Sequence, residues 1–417
     1  MSNNTATIQS AAKKILKMAA AELKENLQFF KTAEKIEMAA WNKNPEGFKP
    51  GQTVGVLIPD VGTIQEDNLD ITNYSADIQE RIVNTSLNLS ATTALTLTSN
   101  ELATDVDIGM IYKRFVQPRI PTMAASIESR VIALAAQNTG NLVGTPGAGV
   151  VDVDTLSAAN ELLSDGLAPI SDKDRYYLFD ARQNRAAINS IKNLFTFPES
   201  GFDDGSLRGG YALGMNWGEN QLSYTQTNGN SVSGLTVEAN ATEGSTSLTL
   251  AGLTASTGTF TTGTTFTIAG VNNVHPLTKT DLGTLKRFSH VGATQTANAS
   301  GYVTLTLNEP LYTSTSGSLQ NITALPAATD VVTVDGAAST SYRQSLLYHK
   351  EAFRVCTVPL QMPKASTVDF AEQVNEDGIN ISIIRAYDQK TRSFITRMDL
   401  LGAFLSVRPA WACRITT

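Results

Sequence analysis

The sequence predicts an α+β protein with a small all-β module spliced into it, and three observations carry that prediction. Apolar residues recur at helical spacing near the N-terminus and again over 105–137. Elsewhere short runs alternate apolar and polar with period two, the mark of half-buried strands. Near residue 228 the composition changes, and to about 340 the chain is rich in Thr, Ser, Gly and Ala with few charges. The length of 417 residues suits two or three domains and a sizeable core.

The first element is a helix over 6 to about 37. Ile8, Ala12, Ile15, Ala19 and Leu23 fall three or four residues apart, with Lys and Glu on the opposite face. Such a helix can pack on its own core, but a terminal helix lies down only where something receives it, which favours an arm docking on another subunit, with Ile15 and Leu23 in the contact. Residues 42–51 carry Asn, Pro, Gly and Lys and form a loop. Thr53 to Pro59 is a short strand. An acidic stretch with Asp60, Glu66, Asp67, Asp70 and Asp77 follows. Then Val83, Thr85, Leu87, Leu89 and Ala91 alternate with Asn84, Ser86, Asn88 and Ser90. Two strands joined by roughly twenty polar residues make a long hairpin, which is marginal alone in water and needs another surface. The acidic side chains are expected to pair with basic groups of an adjacent subunit.

Residues 105–137 read as helix interrupted at Pro118 and Pro121, with Pro121 suited to a first turn. Met123, Ile127, Val131 and Leu134 form its apolar stripe, and Gly140 stops it. Shorter helices are expected at 155–165 and 181–194, the second capped by Asp180, with a strand at Tyr176–Phe179 between them. Inside the Thr-rich region, strands are expected at 246–250, 259–269, 302–307 and 331–334. Later strands are expected at Phe353–Leu360, Ile379–Arg385, Thr391–Arg397 and Trp411–Ile415.

Few functional classes survive the search for chemistry. Cys356 and Cys413 are the only cysteines, too few for a disulfide framework or a Cys-rich metal site. HExxH, GxSxG and GxxxxGK[ST] are all absent. The Gly144–Gly149 run lacks a following Lys, and Pro146 removes an amide donor that a phosphate cradle needs. Asp152, Asp154, Asp203 and Asp204 lack EF-hand spacing and read as caps and turns. No catalytic residue, cofactor or metal is expected. No apolar run approaches the ~18 residues of a membrane span. No apolar stretch follows Lys13, Lys14 and Lys17, so a signal peptide is not expected. The net charge of −7 argues against a wide grip on nucleic acid, which works by counterion release. Lys279, Lys286 and Arg287, in a loop of the inserted module, are the best basic cluster; a solvated loop is the first reading of it and a subunit contact the main competitor.

The order of these parts resembles the major capsid proteins of tailed double-stranded DNA phages. The likeness is strongest to the coat-protein family of short-tailed Salmonella phages, which carries an inserted domain. Thr53–Pro59, the acidic stretch and Val83–Leu97 look like that family's extended loop, and Asn100–Gln137 like its spine helix region. Leu207–Gly214, Gly263–Val271, Leu347–Pro363 and Ile381–Pro409 resemble the segment before the insertion, a barrel strand and the closing strands. The resemblance implies a helical arm over 1–45, an extended loop over 46–100 and a peripheral domain with spine helix over 101–150. It further implies an axial domain over 151–228, an inserted β-barrel over 229–340, and axial and peripheral strands over 341–417. It implies a shell of hexamers and pentamers, a separate scaffolding protein, a portal protein, a decoration protein in some shells, loose contact with packaged DNA, and assembly in the host cytoplasm. A tail-tube subunit or an adhesin is the alternative that the Thr/Ser/Gly-rich region motivates.

Overall fold

A computed structural model describes residues 14, 16–24, 26–35, 48–58, 81–98, 116–149, 151–191, 211–363, 368, 370–376, 378–391 and 393–417. The chain divides into two compact units. One comprises 1–56, 83–131 and 354–405; the other comprises 57–82, 132–353 and 406–417.

In the first unit, residues 16–24 are helical, and a second short helix, Gln28–Thr32, follows a break at Leu27. The helix therefore does not continue to 37. Glu34–Lys35 instead runs as a strand parallel to Phe353–Val358, where Glu34 accepts from Arg354 at 2.7 Å. Leu16, Ala20, Leu23, Leu27 and Phe29 are buried, and the Phe29 N–H donates to Glu128 Oε1 at 2.9 Å. Pro118 does interrupt the next helix: Gln117–Arg119 is a 3-10 turn, and Ile120–Asn138 follows it. The first 11 residues of the helix expected over 105–137 lie outside the described residues.

The unit's sheet runs in the order Glu34–Lys35, Phe353–Val358, Ser393–Ser406, Ile379–Asp388, Phe370–Glu376, with Leu89–Thr98 also on Ser393–Ser406. Thr53–Ile58 pairs with Arg81–Ser86 as the expected hairpin. Its alternation holds: Leu87, Leu89 and Ala91 are buried while Asn84, Asn88 and Ser90 are exposed. The run is two strands instead of one, because Leu87 closes the ribbon by donating to Gln52 O, whereas Leu89 onward pairs with Ser393–Gly402.

The second unit has an α/β body. Ala412–Thr416 and Arg175–Phe179 flank Ser341–His349, and Met215–Glu219 runs parallel to Arg175–Phe179. Helix Val153–Asp165 is capped by Asp152, which accepts from Thr155 N–H at 2.8 Å. Helix Ala181–Ile191 begins as expected at Asp180, which accepts from Gln183 N–H at 2.8 Å while Gln183 Oε1 accepts from Asp180 N–H, a reciprocal capping box. The body core gathers Leu156, Leu163, Tyr177, Phe179, Leu347 and Ile415 around Trp217, which stands edge-on to Tyr177 at 5.2 Å. In the preceding helix the buried row runs Met123, Ile127, Val131, Ala135. Leu134, expected on that row, is 36% exposed, although a step of three from Val131 stays on the same face.

Between residues 235 and 334 the same unit carries a predominantly β module with its own core of Leu248, Phe260, Phe266, Ile268, Phe288 and Leu305, among others. Its sheet order is Asp281–Ser289, Thr265–Val274, Val331–Val334, Leu235–Val237, Ser247–Ala251, Val303–Thr306. Just past the ends of the two edge strands, an isolated antiparallel bridge joins His290 and Leu307.

Candidate functional site

For a protein without an expected reaction centre, the candidate sites are the surfaces that meet other subunits. Asp60, Glu66, Asp67, Asp70, Asp77 and Ile15 lie outside the described residues. Leu23 is described and is only 1% exposed. It sits in the core of its own unit, because its side chain belongs to the stripe that the chain itself covers. On the same helix Met18 is 43% exposed.

The three basic residues expected at a subunit contact are held within the chain. The Lys279 ammonium donates to Ser318 O at 2.6 Å and Gln320 O at 3.2 Å, and burial pulls its pKa down. Lys286 pairs with Glu309 at 2.9 Å. Arg287 donates to Asp335 Oδ2 at 3.2 Å and to Leu142 O at 2.8 Å. A cation that leaves water needs such partners, and Arg287 keeps 37% of its side chain exposed. Lys279 and Lys286 line a crevice of about 270 Å³ with Glu309, Leu162, Arg408 and Trp411. Arg408 in turn pairs with Glu351 at 3.0 Å and stacks on the Trp411 ring at 4.2 Å.

Two buried arginines were missed in the sequence. Arg175 caps the end of helix Val153–Asp165, donating to Pro169 O at 3.1 Å, Ala168 O at 2.5 Å and the Asn160 side chain. Arg414 donates to Gly263 O at 2.7 Å and Ser289 Oγ at 3.0 Å. A charge set among Cys413, Ile415 and other apolar strand residues was the available signal. The two thiols are buried, and burial pushes each up to about 12, which fits inert core positions. Among the described residues no group of three or more His, Cys, Asp and Glu could hold a metal.

The family model described as "P22 coat protein - gene protein 5" matches residues 59–413. The chain belongs to the P22 coat protein family. It is a major capsid protein, a unit of the phage head shell that assembles with copies of itself. A comparison with curated protein sequences finds no match. Among solved structures the chain is similar to one of Mycobacterium phage Che8, at 10% identity over 93% of this chain and 90% of that one, with a TM-score of 0.44. It is also similar to the capsid structure of the cyanophage P-SCSP1u, at 12% identity over 92% and 85%, TM-score 0.42. The CUS-3 coat protein I-domain aligns at 22% identity over 25% of this chain and 96% of that one, TM-score 0.18.

Proposed function

We propose that this coat protein closes into an icosahedral shell of hexamers and pentamers around double-stranded DNA, and that its role is structural, without catalysis. The family match over 59–413 carries this reading. Assembly takes place in the host cytoplasm on a separate scaffolding protein, with a portal protein at one vertex and room for a decoration protein. The 1–45 arm and the 46–100 loop reach neighbouring subunits, 101–150 and the last strands form the peripheral domain, and 151–228 with part of 341–417 forms the axial domain. Residues 229–340 are the inserted domain, and the six-stranded sheet over 235–334 with its own core supports that assignment. A net charge of −7 suits a DNA container, because a cationic lining would hold the genome by counterion release and hinder its exit.

Co-expression with the scaffolding protein and negative-stain microscopy test the proposal. Closed round particles are expected, whereas monomers alone, tubes or fibres would overturn it. Within the same experiment, Asp67→Lys with Asp70→Lys is expected to lower particle yield by removing pairs with basic groups of a neighbour. Unchanged yield would refute that pairing.

A further inference from the structure

Residues 235–334 leave and rejoin the body through two chain crossings, and these are zipped together. Tyr224–Thr227 pairs with the start of Ser341–His349, Asn228 N–H donates to Thr340 O at 3.1 Å, and Ser339 N–H donates to Gly229 O at 2.9 Å. A paired stalk fixes position but still permits tilt. What opposes tilt is a polar seam beside the stalk. From the body, Arg414 reaches across to Gly263 O and Ser289 Oγ, both belonging to the module. From the module, Arg287 reaches back to Leu142 O of the body at 2.8 Å, and Ser289 Oγ donates to Gln137 O at 2.6 Å. Backbones approach closely there, since a Cβ on Gly140 would lie 2.6 Å from Arg287 O.

Arg414 and Ser289 are both fully buried. Besides the two module acceptors, the Arg414 guanidinium has Gln344 Oε1 at 3.2 Å, and among the described residues no carboxylate lies in direct contact with it. A buried cation surrounded by neutral acceptors is costly, and an apolar side chain of similar volume fills such space at least as well. A guanidinium adds a rigid planar set of donors. Two of its three acceptors arrive only when the module is seated, so any tilt strands a buried charge. That penalty rises far more steeply than the loss of an apolar contact.

We infer that Arg414 is the pin that sets the orientation of the 235–334 module on its body, so that the two travel as one rigid piece. It is a positioning residue, acting through Gly263 and Ser289. Burial lowers its pKa to about 10, partly offset by Tyr224 and Asp335, so the pin stays charged at neutral pH.

The test is a pair of spin labels on the full-length monomer at Ser247→Cys in the module and Arg182→Cys in the body, both exposed positions. The native thiols are buried and stay unlabelled. A single narrow distance distribution is expected for the otherwise native chain. Arg414→Met is expected to broaden it into several distances while the Leu248 and Leu305 amides keep their hydrogen-exchange protection. An unchanged distribution would overturn the inference, and so would broadening that comes with lost protection, since Arg414 would then be needed to fold the module instead of to orient it. Should Arg414→Met fail to fold, Arg287→Ala with Ser289→Ala cuts the same seam from the module side and is judged by the same two readouts.

Discussion

Glu243 ties down the 3-10 turn Ser314–Leu319 with one carboxylate. Thr313 N–H donates to Oε1 at 2.7 Å, the Thr313 hydroxyl to Oε2 at 2.9 Å, and the Ser316 hydroxyl to Oε1 at 2.5 Å. Burial pushes the carboxyl pKa up, but the donors from Ser316 and Thr313 outweigh it, and the folded value lies below the usual carboxylate range. A depressed folded pKa gives stability that is present above the unfolded value, about 4.3, and is lost as pH falls through the folded one. Glu243→Gln is therefore expected to lower stability by about 1 kcal/mol at pH 7, the figure being small because the group is partly solvated. The variant's deficit should shrink as pH falls below the unfolded value. Urea midpoints measured from pH 7 to pH 3 check this, and a pH-independent deficit would contradict it. Capping residues such as Asp180 were legible in the sequence because a cap acts on its own next turn. Arg414 and Arg175 were not, because their acceptors come from elements brought near only by the finished fold.

Elements were legible where periodicity was clean. The strands expected at 302–307 and 331–334 are Val303–Thr306 and Val331–Val334, whose burial strictly alternates. The run expected over 259–269 divides into Thr259–Phe260 and Thr265–Val274, split at Gly263, whose φ of 81° takes the chain out of extended geometry. Asp281–Ser289 went unseen because its burial, exposed over most of the first half and buried at the end, follows no period. The 235–334 core and the body core are separate clusters, and this separation has a measurable consequence. Phe266 is fully buried and meets Phe260 edge-on at 5.8 Å and Phe288 at 6.1 Å. Phe266→Ala should cost about 3–5 kcal/mol of module stability through the lost burial and the cavity left behind. Trp41, Trp217 and Trp411 all lie outside the module. In urea, far-UV circular dichroism of the variant should therefore show a first transition that precedes the tryptophan change. Coincident transitions would mean that the two cores unfold as one.

For the whole molecule, the arm decides how much of the chain is meaningful only in the shell. The sequence showed an apolar stripe without showing what covers it, since a stripe has the same spacing whether its partner is its own chain or a neighbour's. In the described part of the arm the chain itself is the cover, with Leu16, Leu23 and Leu27 at 1% exposure or less. A substitution on that stripe should then damage the subunit before any assembly step. Leu23→Asp, which buries an unpaired carboxylate and removes packing, is expected to destabilise the isolated monomer by about 3 kcal/mol or more, with particle yield falling as a consequence. Met18, at 43% exposure on the same helix, separates the two roles. Met18→Asp should change monomer stability by no more than about 0.5 kcal/mol, as surface substitutions do, while lowering particle yield if this face of the arm meets a neighbour. Denaturant unfolding of both monomers beside sedimentation of their assembly reactions gives the comparison. A stable Leu23→Asp monomer that fails only in assembly would place the stripe between subunits, and the buried packing of the isolated chain would then be the wrong account of the arm.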